Sequence, residues 1–171
     1  LSHAVDRGEL TMNYQPLIDI QDGGLFGFEA LLRWHHSEFG PIPPNKFIPI
    51  AEESGLIIPI TKWILVETCK QLAAWQKIGP QYRDMIVSVN ISGKHLSNDD
   101  LIDDVEHALA VSGIAPSTLK LEITESAAME NAEHTISVLN RLKSLGVQLS
   151  IDVFGTGYSS LSYLYRLPFD T

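Results

Sequence analysis

The fold is decided by one strand–helix–strand unit, which reads LKLEITESAAMENAEHTISVLNRLKSLGVQLSID from Leu119 to Asp152. Apolar and polar residues alternate over Leu119–Thr124 and again over Val147–Asp152, which is the pattern of a β-strand with two different faces. The segment between them, Asn131–Leu145, predicts a helix. Two strands that are joined through a helix in this way are expected to run parallel.

The same alternation of strand and helix extends in both directions along the chain. A strand over Met85–Ser92 and a helix over Asp99–Ser112 come before the unit, and a helical turn over Ser159–Tyr165 comes after it. Parallel strands with helices outside them form either an open doubly wound sheet or a barrel. A closed eight-stranded α/β barrel needs about 250 residues, so a chain of 171 residues would show such a barrel incomplete at its C-terminal end.

The N-terminal part of the chain has a different pattern. Residues 2–8 resemble the end of a short helix, and strands are predicted over Thr11–Ile20 and Leu25–Trp34. The tight Gln-Asp-Gly-Gly link between these strands predicts an antiparallel hairpin. The segment HHSEFGPIPPN then reads as a loop, and helices are expected over Pro44–Ser54 and Pro59–Ile78. We place the whole chain in one domain.

Composition limits the classes of function. The chain has 12 Lys and Arg against 21 Asp and Glu, a formal net charge of −9, and no basic stripe. Binding to DNA or to a long RNA strand is therefore not expected, because it depends on neutralising many phosphates. A small anionic ligand stays open, since bound cations and one Arg can offset its charge. No apolar run could span a bilayer and no signal peptide is evident, so we expect a cytoplasmic protein without direct membrane insertion.

Four polar residues lie at or near the ends of four predicted strands. They are Glu29, Asn90, Glu122 and Asp152. In three of these strands the polar residue shares its face with other polar or small residues, as a barrel with its site at the strand C-termini requires. Three carboxylates and one amide are oxygen ligands, which favour Mg²⁺ or Mn²⁺ over zinc.

Each candidate also has a simpler structural explanation. Glu29 could form an ion pair with Arg33 on the same strand face, because a charge in a mainly apolar strand is costly unless it is paired or coordinated. Asn90 could bond to the backbone at a strand end. Glu125 could be a charged residue near the start of a helix. Glu122, which lies between two apolar residues, is harder to explain in this way, and the residues alone leave these alternatives open.

Six motifs that follow one another in order carry a family resemblance. They are YQPLID, FEALLRW, KFIPIAEESGLI, VSVNIS, LEITES and FGTGYSSLSYL, and together they resemble the EAL domain family of cyclic di-GMP phosphodiesterases. The namesake triad is Glu29-Ala30-Leu31. The resemblance implies a modified TIM (β/α)8-type barrel with an antiparallel strand near the N-terminus, of which residues 1–171 would form about the first two thirds.

The resemblance also implies an activity and a set of site residues. The family hydrolyses one phosphodiester bond of cyclic di-GMP, a bacterial second messenger, to give linear pGpG. The implied ligands of one Mg²⁺ or Mn²⁺ are Glu29, Asn90, Glu122 and Asp152. Arg33 would contact a substrate phosphate and Gln15 would line the substrate groove. The implied catalytic residues are Glu29, Glu125 and Asp152. Among them, Glu125 would hold the loop after Asp152 in its working shape.

The chain departs from the family pattern at two places. Val153 stands where the family has a second consecutive Asp, which removes a ligand for a second metal, and the family's catalytic Lys and a further carboxylate lie beyond Thr171. Two hypotheses follow. The chain is either a phosphodiesterase with weakened binding of the second metal, or a degenerate EAL domain that acts as a cyclic di-GMP receptor or interaction module.

These hypotheses carry expectations about partners. Cyclic di-GMP is the expected ligand, and sensory or other signalling domains are expected on the same polypeptide. A barrel that stopped at Thr171 would have an open sheet edge, for which self-association as a homodimer is expected.

Overall fold

One mixed sheet of six strands organises the computed structural model, which describes residues 1, 3–129, 131–152 and 167–170, with only the backbone at Ala132 and Asp152. The strands are β1 (Leu10–Ile18), β2 (Leu25–His36), β3 (Gly40–Ile42), β4 (Ile86–Ile91), β5 (Leu119–Thr124) and β6 (Gln148–Asp152). The helices are α1 (Pro44–Ser54), α2 (Ile57–Gln76), α3 (Gly93–Leu96), α4 (Asp100–Ser112), α5 (Glu125–Met129) and α6 (Ala132–Leu145). Short 3₁₀ turns cover Pro80–Tyr82 and Pro116–Thr118.

The strand order confirms the topology that the alternation predicts. The main path of the sheet is β1-β2-β4-β5-β6, and β3 pairs with the end of β2. Strands β1 and β2 form the expected antiparallel hairpin, whereas β2 and β4, β4 and β5, and β5 and β6 pair in parallel. The helices that lie between the parallel strands in sequence provide the crossover connections that such pairing needs.

Alternation along the strands separates the core from the opposite face of the sheet. In β4 and β5 the apolar positions are buried; they are Val87, Val89, Ile91, Leu119, Leu121 and Ile123. The apolar sides of the helices belong to the same core, with Leu65 and Leu72 from α2 and Leu101 and Val105 from α4 fully buried. Burying one such side chain contributes about 1.5–3 kcal/mol, so this face fixes the register of the strands.

Three local expectations need correction. The segment after residue 2 is a series of turns and not the end of a helix, because one hydrogen bond of helical spacing, from Arg7 N to His3 O, is not continued as a helix. The predicted loop HHSEFGPIPPN contains β3, which pairs with Trp34–His36 after a turn that ends at Gly40, where φ is +69°. Helix α2 also begins and ends two residues earlier than expected.

The helical turn predicted over Ser159–Tyr165 lies outside the described residues, as does Val153. In the described part of the chain, no helix is long and apolar enough to cross a membrane.

Gly27 allows β2 and β4 to approach each other. A Cβ atom at this position would lie 2.5 Å from the carbonyl oxygen of Ile86 and 2.6 Å from the Ile86 side chain. Gly27 and Ile86 are register partners at the start of the parallel pair. Because the first obstacle is backbone, a side chain at position 27 could be accommodated only by moving a strand.

We therefore expect Gly27→Ala to lower the free energy of unfolding by about 1–3 kcal/mol, the usual cost of forcing extra volume into a packed region. Urea denaturation measures the change. Gly24→Ala is the matched control, because its Cβ would meet only the exposed side chain of Asp22, whose movement would cost at most the exposed hydrogen bond that it accepts from the Gly24 N–H. Equal stability of the two variants would contradict the importance of the close approach.

Candidate functional site

The strand register brings the sequence-predicted ligands onto neighbouring strands. Glu29 of β2 is in register with Ser88 of β4, two residues before Asn90. Asn90 is in register with Glu122 of β5. Asp152, the last residue of β6, is in register with Thr124, two residues after Glu122, and is described by its backbone alone. The backbone therefore brings the four positions together on adjacent strands. Asn90, Glu122 and Asp152 lie at or near the C-terminal ends of their strands, whereas Glu29, contrary to the prediction, lies in the middle of β2, near the end of the part that pairs with β4.

A hydrogen bond joins two of the predicted ligands. The side-chain Nδ2 of Asn90 donates to Oε1 of Glu29 across 2.9 Å, although the residues are 61 positions apart in the sequence. The simpler explanation for Asn90, a bond to the backbone, is therefore replaced by a side-chain contact. With Nδ2 facing Glu29, the carbonyl Oδ1 is the atom of the amide that is suited to a divalent cation.

Arg33 does not serve as the partner of Glu29. Within the described residues no ion pair joins the two side chains, and Arg33 Nη1 donates instead to the backbone carbonyl of Leu32 across 2.9 Å. Gln15, the other predicted substrate-binding residue, is an exposed residue of β1 and lies opposite Glu29 in the hairpin. The hairpin thus places an amide side chain on the strand next to the carboxylate.

A cavity of about 330 Å³ contains several of the predicted residues. Its lining includes Arg33, Asn90 and Glu122, together with apolar residues of β2, α1 and α2. Concave sites of this size, mainly apolar with a few convergent polar groups, are typical of small-molecule binding. The cavity gives Asn90, Glu122 and Arg33 a common space at the strand ends.

Glu52 is a lining residue that the sequence analysis did not select. It is the half-buried third-last residue of α1 and lines both this cavity and a larger neighbouring one of about 940 Å³. The second cavity extends over the start of α3 and also shares Thr124 with the first. The available signal was the motif KFIPIAEESGLI, in which the carboxylates follow an apolar run.

Glu125 differs from an ordinary charged residue at a helix start. It is the first residue of α5, as the structural alternative expects, but it is only 3% exposed. A solvated charge at a helix N-terminus would not be buried in this way, and a buried carboxylate is costly unless the fold compensates it. Its predicted action on the loop after Asp152 concerns residues 153–166, which lie outside the described part of the chain.

The donor set fits a hard divalent cation by its chemistry. Glu29 and Glu122 offer carboxylate oxygens and Asn90 offers an amide oxygen, which are the ligands that Mg²⁺ and Mn²⁺ prefer. Among the described residues, no three His, Cys, Asp or Glu side chains come together as a possible metal cluster. Of the four predicted ligands, only Glu29 and Glu122 contribute described carboxylates, since Asn90 is an amide and Asp152 is described by its backbone.

The chain resembles known proteins along its whole length. A family model of the EAL domain matches residues 1–171. The chain is 44% identical over 168 residues to the bifunctional diguanylate cyclase/cyclic di-GMP phosphodiesterase MucR of Pseudomonas aeruginosa, covering 98% of this chain and 24% of that protein. It is 43% identical over 170 residues to the cyclic di-GMP phosphodiesterase NbdA of the same species, covering 99% and 22%.

Solved structures show the same likeness. A MucR phosphodiesterase in complex with cyclic di-GMP superposes with a TM-score of 0.92 at 44% identity, covering 98% of this chain and 67% of that one. The EAL enzyme Bd1971 with cAMP and cyclic di-GMP bound gives 0.89 at 36% identity, covering 98% and 46%. These neighbours have a TIM-barrel-like fold, which confirms the predicted fold class. The chain spans about a quarter of the length of the curated relatives MucR and NbdA.

The Glu29–Asn90 contact leads to a prediction for Asn90→Asp. This change puts a carboxylate where the amide nitrogen now lies 2.9 Å from Glu29 Oε1. We expect the free energy of unfolding to fall by about 1 kcal/mol near neutral pH, since the like charges are partly screened by solvent. Repulsion raises the pKa of one carboxyl of such a pair, so the loss should shrink as the pH falls through that raised pKa.

Urea denaturation without added metal, at neutral and mildly acidic pH, measures this effect. Asn13→Asp is the control, because it makes the same substitution at an exposed position of β1 whose register partner is Leu31. A loss that is equal in the two variants, or that does not change with pH, would argue against a close Glu29–Asn90 pair.

Proposed function

The chain belongs to the EAL domain family, and we propose that it binds cyclic di-GMP where β2, β4, β5 and β6 bring Glu29, Asn90, Glu122 and Asp152 together and that it hydrolyses one phosphodiester bond to give pGpG. Homologues in the family, including MucR and NbdA, are cyclic di-GMP phosphodiesterases. The observation that carries the proposal is the hydrogen bond between Glu29 and Asn90, with Glu122 next to Asn90 in register.

We assign the metal-binding role to the four predicted ligands on adjacent strands. Glu29, Asn90, Glu122 and Asp152 would hold one Mg²⁺ or Mn²⁺. A divalent cation supplies a more acidic bound water and stabilises the charge that grows on the phosphate oxygens. The contribution of the chain is to hold oxygen atoms on four rigid strands, where their backbone positions are fixed by the buried opposite face of the sheet.

Arg33 and Gln15 would bind the substrate. A guanidinium presents several N–H donors in a plane and suits a phosphodiester oxygen, and Arg33 reaches the same cavity as Asn90 and Glu122. One positive charge next to the bound cation would help an anion approach a chain of net charge −9. The exposed amide of Gln15, beside Glu29, can donate to and accept from the sugar or base.

Glu125 would act on the loop that follows Asp152. Its burial at the start of α5, directly after the end of β5, gives it a fixed position close to the strand ends. We propose that it keeps that loop in the shape needed for binding. We also propose that the domain works in the cytoplasm, joined to sensory or other signalling domains and able to form a homodimer; the much greater length of MucR and NbdA supports the additional domains.

The first test is hydrolysis by the full-length protein. Chromatography of cyclic di-GMP after incubation with Mn²⁺ should show pGpG, and a parallel sample with chelator should not. Glu29→Ala should lower the rate by about 10²-fold or more, in the range seen when one preorganised stabilising group is removed. The matched control is Glu38→Ala, which removes a carboxylate from the exposed turn between β2 and β3. Normal hydrolysis by Glu29→Ala would remove Glu29 from the site.

A receptor function is the second candidate, and Val153 is the observation that favours it. The sequence has Val at the position where the family has a second Asp, and an isopropyl group cannot bind a metal. In this alternative the chain would bind cyclic di-GMP without efficient turnover and pass the signal to another domain. The four predicted ligands would then serve binding alone.

Val153→Asp separates the two functions. For a phosphodiesterase with a weak second metal, it should raise Mn²⁺-dependent turnover by about ten- to a thousand-fold, as expected for restoring one electrostatic group. Val153→Leu changes the side chain without adding oxygen and should leave turnover unchanged. If neither the native protein nor Val153→Asp forms pGpG while both retain cyclic di-GMP in equilibrium dialysis, the receptor function is supported. Turnover that is unchanged in Val153→Asp would refute the second-metal argument.

A further inference from the structure

The chain turns sharply just after it leaves the site. Strand β4 ends at Ile91, and Ser92 caps the single turn of α3. The side-chain Oγ of Ser92 accepts from the backbone N–H of His95 across 3.2 Å, and its carbonyl accepts from His95 and Leu96 across 3.1 and 2.9 Å. The position of α3 is therefore tied to Ser92, which lines the 330 Å³ cavity two residues after Asn90.

Close contacts between polar side chains connect α3 to two other helices, α4 and α2. His95 is fully buried, and its Nε2 lies 3.3 Å from Oδ2 of Asp104 on α4, a close contact without hydrogen-bond geometry; within the described residues neither ring nitrogen has a hydrogen-bond partner. The other oxygen of Asp104 lies 2.6 Å from Nζ of Lys62 on α2, and the Asp104 side chain is only 4% exposed. One carboxylate thus contacts two helices besides its own, and one of them, α2, packs against β4.

Burial of these groups calls for an explanation beyond packing. Removing an imidazole and a carboxylate from water is costly, and well-packed apolar residues often stabilise such a position as well or better. Burial also lowers the pKa of His95, so the imidazole stays neutral beside the carboxylate near neutral pH. The energy of a contact between buried polar groups depends more steeply on the relative position of its partners than the energy of an apolar contact does.

We propose that Lys62, Asp104 and His95 form a positioning bridge that holds α3 in place and thereby orients the side chain of Asn90 toward the metal site. The role of Asn90 at a metal rests on the function proposed above. The bridge itself is expected whether or not the chain hydrolyses its ligand.

Asn90 needs such support because only one side-chain hydrogen bond, to Glu29, holds it within the described residues. It is an exposed residue near the end of β4, so its side chain is not fixed by close packing. Its orientation depends on the bond to Glu29 and on the backbone from Asn90 to Ser92. Movement of α3 would pull on this backbone, and a shift of about 1 Å is enough to impair a catalytic geometry.

The experiment compares variants of the bridge with a packing variant in the full-length protein. His95→Leu removes the polar contact, and His95→Gln keeps an N–H group that can face Asp104. Val105→Ala removes buried volume from α4 beside Asp104 without touching the bridge. If His95→Leu fails to fold, Asp104→Asn replaces it, because that change keeps the shape of the side chain and removes its charge.

Two measurements report on the position of the Asn90 side chain. Binding of Mn²⁺ alone is followed by electron paramagnetic resonance of the free ion. The side-chain NH₂ resonances of Asn90 are followed by NMR of protein labelled with ¹⁵N-asparagine, with Asn90→Asp used to assign them. Thermal unfolding of every variant shows how much stability each has lost, so that effects on Asn90 can be compared at equal loss.

We expect the Mn²⁺ dissociation constant of His95→Leu to rise about tenfold, at the lower end of the effects seen when support behind a ligand is removed. The Asn90 resonances should shift, and its NH₂ hydrogens should exchange faster. His95→Gln should remain close to the native protein in both measurements, and Val105→Ala should lose stability with little change in either.

The proposal is overturned if Val105→Ala weakens Mn²⁺ binding as much as His95→Leu at equal loss of stability. Unmoved Asn90 resonances in His95→Leu would overturn it as well. If the native protein binds no Mn²⁺, the metal site of the proposed function fails, and the Asn90 resonances alone then decide whether the bridge positions this residue.

Discussion

The close approach of β2 to β4 is the constraint on which the site depends. Gly27 lets the two backbones pair in parallel at a point where a Cβ atom would collide with the Ile86 carbonyl. Two residues further along β2, Glu29 comes beside Ser88 and within hydrogen-bonding distance of Asn90. The missing side chain at position 27 therefore governs the distance between two predicted metal ligands.

The strands serve the core and the site at the same time. Val89 and Ile91 face the helices and are buried, while Asn90 between them is exposed toward the site. Because the side-chain period of a strand is two residues, a slip of one residue would expose the core as well as remove the ligand. The geometry of the site is thus protected by the stability of the hydrophobic face.

The sequence predicts those features that repeat along the chain. Period-two alternation over Leu119–Thr124 and the turn between β1 and β2 predict the strands and the hairpin that the structure shows. Features that depend on distant residues carry no local signal. Strand β3 is three residues long and exists through its pairing with β2, and the bridge from Asp104 to His95 joins helices whose contact no periodicity indicates. The ligand assignments of Glu29, Asn90, Glu122 and Asp152 stay predictions.

The hairpin has a consequence for the order in which the site is assembled during folding. Gln15 and Glu29 meet across a short connection, and a β-hairpin can close within about 1–10 μs. Glu29 and Asn90 are 61 positions apart, so their contact must wait until the intervening α1 and α2 have returned the chain to the sheet. Non-local parallel pairing of this kind is slow. A nascent chain would therefore present the Gln15 amide and the Glu29 carboxylate on a single hairpin well before it could offer a complete set of oxygen ligands. Binding of a metal would have to wait until the sheet has formed.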